Sequence, residues 1–103
     1  MWPVSLSVVD NPDLQRFEAR TPEGLVAGFV QYRSRSAVLL IVHTEVDPAF
    51  QGQGVGSVVV RGALDLMRAE GRQAVVECPF VRSFLDRHPG EYEDVVAAEQ
   101  EPR

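Results

Sequence analysis

Apolar and polar positions alternate from Leu14 to Arg20, where Phe17 and Ala19 interleave with Arg16, Glu18 and Arg20. A period of two is that of a half-exposed strand. The residues before about Pro12 show no clear period and end in an Asp-Asn-Pro turn cluster, compatible with a tail or with an edge strand. Thr21-Pro22-Glu23-Gly24 reads as a turn, with proline and glycine where turns favour them. Leu25 to Tyr32 is apolar on both faces and reads as a central strand, closed by the polar break Arg33-Ser34-Arg35-Ser36. The apolar run Ala37 to Val42 opens a third strand that continues through His43, Thr44, Glu45 and Val46. Asp47-Pro48 ends it, because proline cannot donate to a sheet ladder.

The period then changes. After a glycine-rich loop, Gln51 to Gly56, the residues Val55, Val59, Gly62 and Leu66 fall on one helical stripe, with Val60, Leu64 and Met67 beside it. Arg61, Asp65, Arg68 and Glu70 form its solvated side, and Gly71 stands where a C-cap glycine belongs. Ala74 to Glu77 is a short strand, and the intervening helix makes it parallel to an earlier one. Cys78-Pro79 opens a second helix with proline in its first turn. Phe80, Val81, Phe84 and Leu85 give that helix an apolar, core-facing side, and His88-Pro89-Gly90 stops it. Tyr92 to Ala97 is compatible with a short strand or a helical turn, and Glu99 to Arg103 with a frayed end. The expected fold class is α/β: a minimal mixed antiparallel and parallel sheet with two main helices.

Composition narrows the chemistry. A chain of 103 residues with 45% hydrophobic and 24% charged residues is one domain of ordinary soluble type. Its single cysteine excludes an internal disulfide framework. A formal charge of -5 argues against nucleic acid as a partner, since phosphate backbones need a positive field. All 10 basic residues are arginine, which removes both the phosphate-loop lysine and every Schiff-base mechanism. The opening residues carry no basic region and no apolar stretch reaches membrane-spanning length, so the expectation is a cytoplasmic protein without a membrane partner.

The loop Gln51-Gly52-Gln53-Gly54-Val55-Gly56 joins a buried strand to the start of a long amphipathic helix. Glycines let backbone amides approach a ligand, and a helix start adds unpaired donors and the positive dipole end. Together they predict a pyrophosphate cradle that needs no lysine. The dinucleotide fingerprint G-x-G-x-x-G does not fit, because Ser57 and Val59 stand where its last glycine would be. His43, Cys78 and His88 lack the paired spacings of a metal site, so no metal is expected.

The same loop fits Gln/Arg-x-x-Gly-x-Gly/Ala, and it stands between His43-Thr44-Glu45-Val46 and Cys78-Pro79-Phe80-Val81 followed by His88-Pro89. In this arrangement the chain resembles the GNAT N-acetyltransferase superfamily, in particular its short members, with an acetyltransferase-like core at about residues 10–97 of a single domain spanning 1–103. The resemblance implies the acyl-CoA N-acyltransferase fold and acetyl-CoA as cosubstrate. Val46, Gln51, Gly52, Gln53, Gly54, Val55, Gly56 and Ser57 are the implied cofactor-binding residues. It further implies that the strands ending near Val46 and at Glu77 splay apart to admit the pantetheine arm, and that an amine attacks the thioester directly. Related short members often carry tyrosine in place of Phe84, and here Gly90 intervenes before Glu91-Tyr92.

Within that frame His43 and Glu45, two apart on a strand and so on one face, are candidates for a base or a water-linked relay. Cys78, between a strand end and a helix start, is a candidate for a stabilised thiolate. Tyr92 is a candidate acid for the departing thiolate. The expected function is acetyl transfer to an amine, the acceptor being unspecified by the sequence; the alternative is a non-catalytic acyl-CoA-binding or interaction module. A homodimer that completes the sheet or the acceptor pocket suits so small a domain.

Overall fold

Five strands form one sheet in chain order: β1 (Ser7–Asn11), β2 (Arg16–Arg20), β3 (Val26–Arg35), β4 (Val38–Val46) and β5 (Gln73–Val76). The computed structural model describes residues 5–97. The first four strands pair antiparallel, and β5 joins β4 in parallel. Helix α1 (Val55–Ala69) makes the crossover that a parallel neighbour requires, and α2 (Pro79–Asp86) follows β5. Of the residues before Pro12, which the sequence left open, Ser7–Asn11 form the edge strand β1. The polar run Arg33 to Arg35 is strand rather than break: β3 reaches Arg35 opposite Val38, and the turn is confined to Ser36-Ala37. Cross-strand pairing with Leu39 and Leu40 holds these exposed residues in the ladder despite their polarity.

Helix α1 lies across one face of the sheet. Phe17, Val30, Tyr32, Leu39 and Ile41 from the strands meet Val55, Val59, Val60, Ala63, Leu64 and Met67 from the helix, all essentially inaccessible to water. The buried stripe is therefore rotated from the expected one: Ala63 and Met67 replace Gly62 and Leu66 at its centre. Gly62 instead lies under β1, where an added Cβ would stand 2.4 Å from Val8 Cγ2. Gly71 takes the left-handed conformation, φ 69°, that ends the helix, and Arg72 N–H returns to Met67 C=O.

The polar flank of α1 is not simply solvated. Arg61 Nη1 donates to Glu91 Oε1 at 2.9 Å, Arg68 Nε to Asp94 Oδ2 at 2.8 Å, and Tyr92 Oη to Asp65 Oδ1 at 2.8 Å. These bonds pin the segment after α2 against the helix. Tyr92 to Ala97, ambiguous in sequence, is mostly turn, with one parallel bridge between Val96 and Ala74. His88 does serve at the end of α2: its Nδ1 donates to Phe84 C=O at 2.7 Å and its ring stacks on Phe84.

Two bulges set which side chains face away from α1. In β3 Ala27 is the extra residue, and in β4 it is Val42, since Tyr32 opposes Ile41 while Gln31 opposes His43. An extra residue reverses the in-out parity beyond it. Leu39 and Ile41 are buried under α1, and past Val42 that side is continued by Thr44 and Val46. His43 and Glu45 emerge exposed on the opposite face. On that face Glu18 is 2% exposed, and it accepts from Arg16 Nε at 2.7 Å, from Arg20 Nη2 at 2.6 Å and from Asn11 Nδ2 at 3.0 Å. Burial alone would raise its proton affinity, but these hydrogen bonds outweigh it and hold the carboxyl below the usual range.

Candidate functional site

The site forms where β4 and β5 part. Parallel pairing runs from Val38 opposite Gln73 to Ile41 opposite Val76, and Glu77 N–H donates to Ile41 C=O at 2.9 Å. Cys78-Pro79 then turns the chain into α2, while β4 continues from Val42 to Val46 with β3 alone beside it. A wedge opens between them. Across it Thr44 Oγ1 stands 3.4 Å from Cys78 Sγ, and Cys78 is 3% exposed.

At the mouth of the wedge lies the glycine loop. Asp47 caps a short 3-10 turn, Pro48–Phe50, through Ala49 N–H, and Gln51 Nε2 donates to Val46 C=O at 3.3 Å. Gly54, at φ 77°, takes the left-handed conformation and is the N-cap of α1, with no side-chain cap bond. No Cβ at Gly54 would meet an atom within 4 Å, so glycine is needed there for conformation rather than room. Past Gln51, the first amide with a close backbone acceptor among the described residues is that of Val58, bonded to Gly54 C=O at 3.2 Å. The amides of residues 52–57 thus form a concave, electropositive nest at a helix start.

A groove of about 400 Å³ runs along this nest, lined by Val46, Phe50, Gln51, Gly52, Gly54, Val55, Gly56 and Ser57, by Phe80 from α2 and by Arg87, the residue that caps its C-terminus. Of the loop residues singled out in the sequence, only Gln53 is outside the lining; its Oε1 is buried without a hydrogen-bond partner. Phe80 is not core: it is 41% exposed, and its ring tip sits against Gly56, where a Cβ would come within 2.6 Å. Only a glycine at 56 leaves that space to the ring. Arg87, whose Nη1 donates to Ser83 Oγ at 2.9 Å, brings a cation to the groove. Neither residue carries a sequence signal for this role, because each comes from an element about thirty positions away.

On the face opposite α1, His43 Nε2 donates to Glu45 Oε1 at 3.0 Å, both side chains being more than half exposed. A carboxylate can only accept, so this bond fixes the proton on Nε2 and leaves the Nδ1 lone pair of a neutral ring free. His43 lies two residues past the last β4–β5 pair, at the wedge. Tyr92 is placed elsewhere. Its hydroxyl is given to Asp65 and accepts from Arg61, and burial followed by the bond to Asp65 raises its proton affinity. Asp65 is nine residues beyond Gly56, about 13 Å along the helix axis. Thr44 and Cys78 therefore meet on the α1 side of β4, His43 and Glu45 pair on its other face, and Tyr92 stands with the segment-anchoring contacts.

The described residues hold no group of three or more His, Cys, Asp or Glu side chains able to bind a metal, and no helix long and apolar enough to cross a membrane.

Residues 16–95 match the family described as GCN5-related N-acetyl-transferase. Among curated proteins, 47 residues are 34% identical to Protein NATD1 of Bos taurus, an alignment covering 46% of this chain and 42% of that protein. The chain thus spans less than half of that relative. Among solved structures, the solution structure of a GCN5-like protein from Staphylococcus aureus superposes with a TM-score of 0.63 at 21% identity. That likeness, covering 94% of this chain and 91% of the other, is one of fold.

Proposed function

Because the chain belongs to the GCN5-related N-acetyltransferase family, we propose that it transfers an acetyl group from acetyl-CoA to an amine. The observation that carries the reading is the uncapped run of amides 52–57 beside the wedge between β4 and β5. A chain with a formal charge of -5 can hold a polyanion only through such a local site, and Arg87 adds a cation to the groove's lining. The acceptor amine must be neutral to attack, and its surplus proton must be removed.

Acetyl-CoA supplies the activated acyl group as a thioester. The residues 52–57 hold its pyrophosphate, and the wedge receives the arm that carries the acetyl group. The free Nδ1 of His43 takes the amine proton, and Glu45 stabilises the imidazolium through Nε2. As the C–N bond forms, the C–S bond breaks along a path lined by the Thr44 hydroxyl and Cys78 thiol; the leaving sulfur takes a proton from solvent, and His43 releases the amine proton to solvent. Amine and thioester become amide and thiol.

Thermal unfolding with increasing acetyl-CoA, with CoA and NAD in parallel, tests the cofactor. Ligand at a hundred times its dissociation constant adds ~2.7 kcal/mol, which raises the midpoint of a domain this size by roughly 10 °C or more. A saturable shift with acetyl-CoA and none with NAD is expected; no shift at millimolar acetyl-CoA overturns the reading. Replacing His43 with alanine should lower kcat by about tenfold or more and leave the acetyl-CoA shift unchanged, with water substituting in part for an exposed base. Equal turnover in the variant would remove His43 from the mechanism.

A further inference from the structure

The sheet face opposite α1 presents two rows of side chains. Glu18, Phe29 and Glu45 are in register across β2, β3 and β4, and Arg16, Gln31 and His43 form the next row. Arg16 leans from its own row to the other: its guanidinium carbon lies 4.3 Å from the Phe29 ring centroid, and Nε is bonded to Glu18. Glu18 is in turn held by Arg20 and Asn11, so Arg16 is fixed by a buried and fully engaged carboxylate. With Nε committed, neither terminal nitrogen of Arg16 has a hydrogen-bond partner among the described residues.

A cavity of about 180 Å³ lies at this place, lined by Arg16, Val26, Gly28, Phe29, Glu45, Asp47 and Pro48. Its charges are separated. The cation comes from β2, while Glu45 and Asp47 come from β4 and the residue after it. The backbones of β2 and β4, two strand spacings apart, are about 10 Å from one another. A ligand that satisfies both ends carries both signs, and its positive end falls beside the His43–Glu45 pair.

Resting on the acetyl transfer proposed above, we infer that the acceptor is a small free amino acid. Its ammonium group lies toward Glu45 and Asp47, where His43 can take a proton, and its carboxylate is received by the terminal nitrogens of Arg16. A planar guanidinium matches a carboxylate with two parallel bonds, which an ammonium cannot do. A polyamine would place a second cation against Arg16. A lysine side chain on a protein surface carries no carboxylate at that separation. Glu18 acts as a positioning residue, holding the guanidinium over Phe29. The products are the N-acetyl amino acid and CoA thiol.

The experiment measures thiol release from acetyl-CoA with glycine, β-alanine and γ-aminobutyrate, with glycinamide and β-alaninamide, and with ethylamine and spermidine. Wild type is expected to use at least one amino acid with kcat/KM tenfold or more above its own amide, and above spermidine. Arg16→Gln should bring that acid-to-amide ratio within twofold of unity while retaining the acetyl-CoA thermal shift. Comparing ratios between the two proteins cancels the intrinsic difference in amine basicity. Arg16→Lys, which keeps a charge beside Glu18, should recover only part of the ratio, and it serves if the glutamine variant does not fold. Spermidine or ethylamine used as well as the amino acids, an unchanged ratio in Arg16→Gln, or no turnover of any amino acid by a protein that shifts with acetyl-CoA would each overturn the acceptor assignment. Those results leave the cofactor reading standing; absence of the thermal shift itself is the result that removes both.

Discussion

Replacing Ser57 with aspartate is expected to raise the stability of the free protein slightly and to cut its response to acetyl-CoA to a small fraction. Ser57 is exposed, lines the groove and occupies the third position of α1, whose first turn has no side-chain cap. A carboxylate there meets the positive end of the helix dipole, worth about 0.3–1 kcal/mol. The same charge would confront a bound pyrophosphate. Unit charges 4 Å apart interact by about 4 kcal/mol at an effective dielectric of 20, and solvent at this exposed position reduces that to roughly 3 kcal/mol. Affinity should fall by ~10²-fold. Thermal unfolding with and without acetyl-CoA reads both effects at once. Ser57→Lys should do the reverse, weakening the helix start while keeping the ligand-induced shift. A Ser57→Asp protein that still shifts like wild type would mean that the phosphates do not sit on this helix start.

Gly62→Ala should destabilise the fold by about 1–3 kcal/mol, the range for overpacking. Propensity alone argues the other way, since alanine in a helix interior gains roughly 1 kcal/mol over glycine. The deciding contact is with β1: the new Cβ would lie 2.4 Å from Val8 Cγ2, 2.5 Å from Val8 Cβ and 2.9 Å from Val8 Cγ1. A rotamer change cannot move a Cβ, so the edge strand itself must shift. The midpoint is expected to drop by several degrees, at about 4–8 °C per kcal/mol for a domain of this size. In a Val8→Gly background, which removes all three atoms, the same substitution should cost far less. Additive losses in that double-mutant cycle would show that α1 and β1 do not approach this closely.

Both predictions concern the helix that the sequence marked most clearly, and they show where that marking ends. The glycine loop is legible because a backbone anion site must be built of residues permitting close approach and left-handed turns, and Gly54 does adopt that conformation. The strand–loop–helix order and the parallel return of β5 follow from an apolar run stopped at Asp47-Pro48, the helical stripe beyond the loop and the crossover that helix imposes. The helix stripe was legible as amphipathic, but its centre was misplaced by about one position. Gly62 resembles a core residue by spacing, and only the nearness of Val8 gives it another reason to be small.

Phe80 reads as core for a similar reason. Apolar residues at i, i+1, i+4 and i+5 define a face, yet α2 is short, and its first turn stands over the groove with Phe80 against Gly56 instead of under the sheet. Arg61, Asp65 and Arg68 look solvated because their partners Glu91, Tyr92 and Asp94 come about thirty residues later. No local pattern carries a contact between separate segments.

By itself the sequence determined the class of fold, the glycine loop ahead of α1 and the fact that His43 and Glu45 share one face of a strand. Those follow from backbone requirements and from periodicity, which are local. Which face they share was decided by tertiary structure. Strict alternation from Leu39 and Ile41 would bury both side chains under α1; the extra residue at Val42 turns them outward, beside Phe29 and at the wedge. A bulge arises from how one strand registers against another, and that pairing involves residues of β3 as much as those of β4.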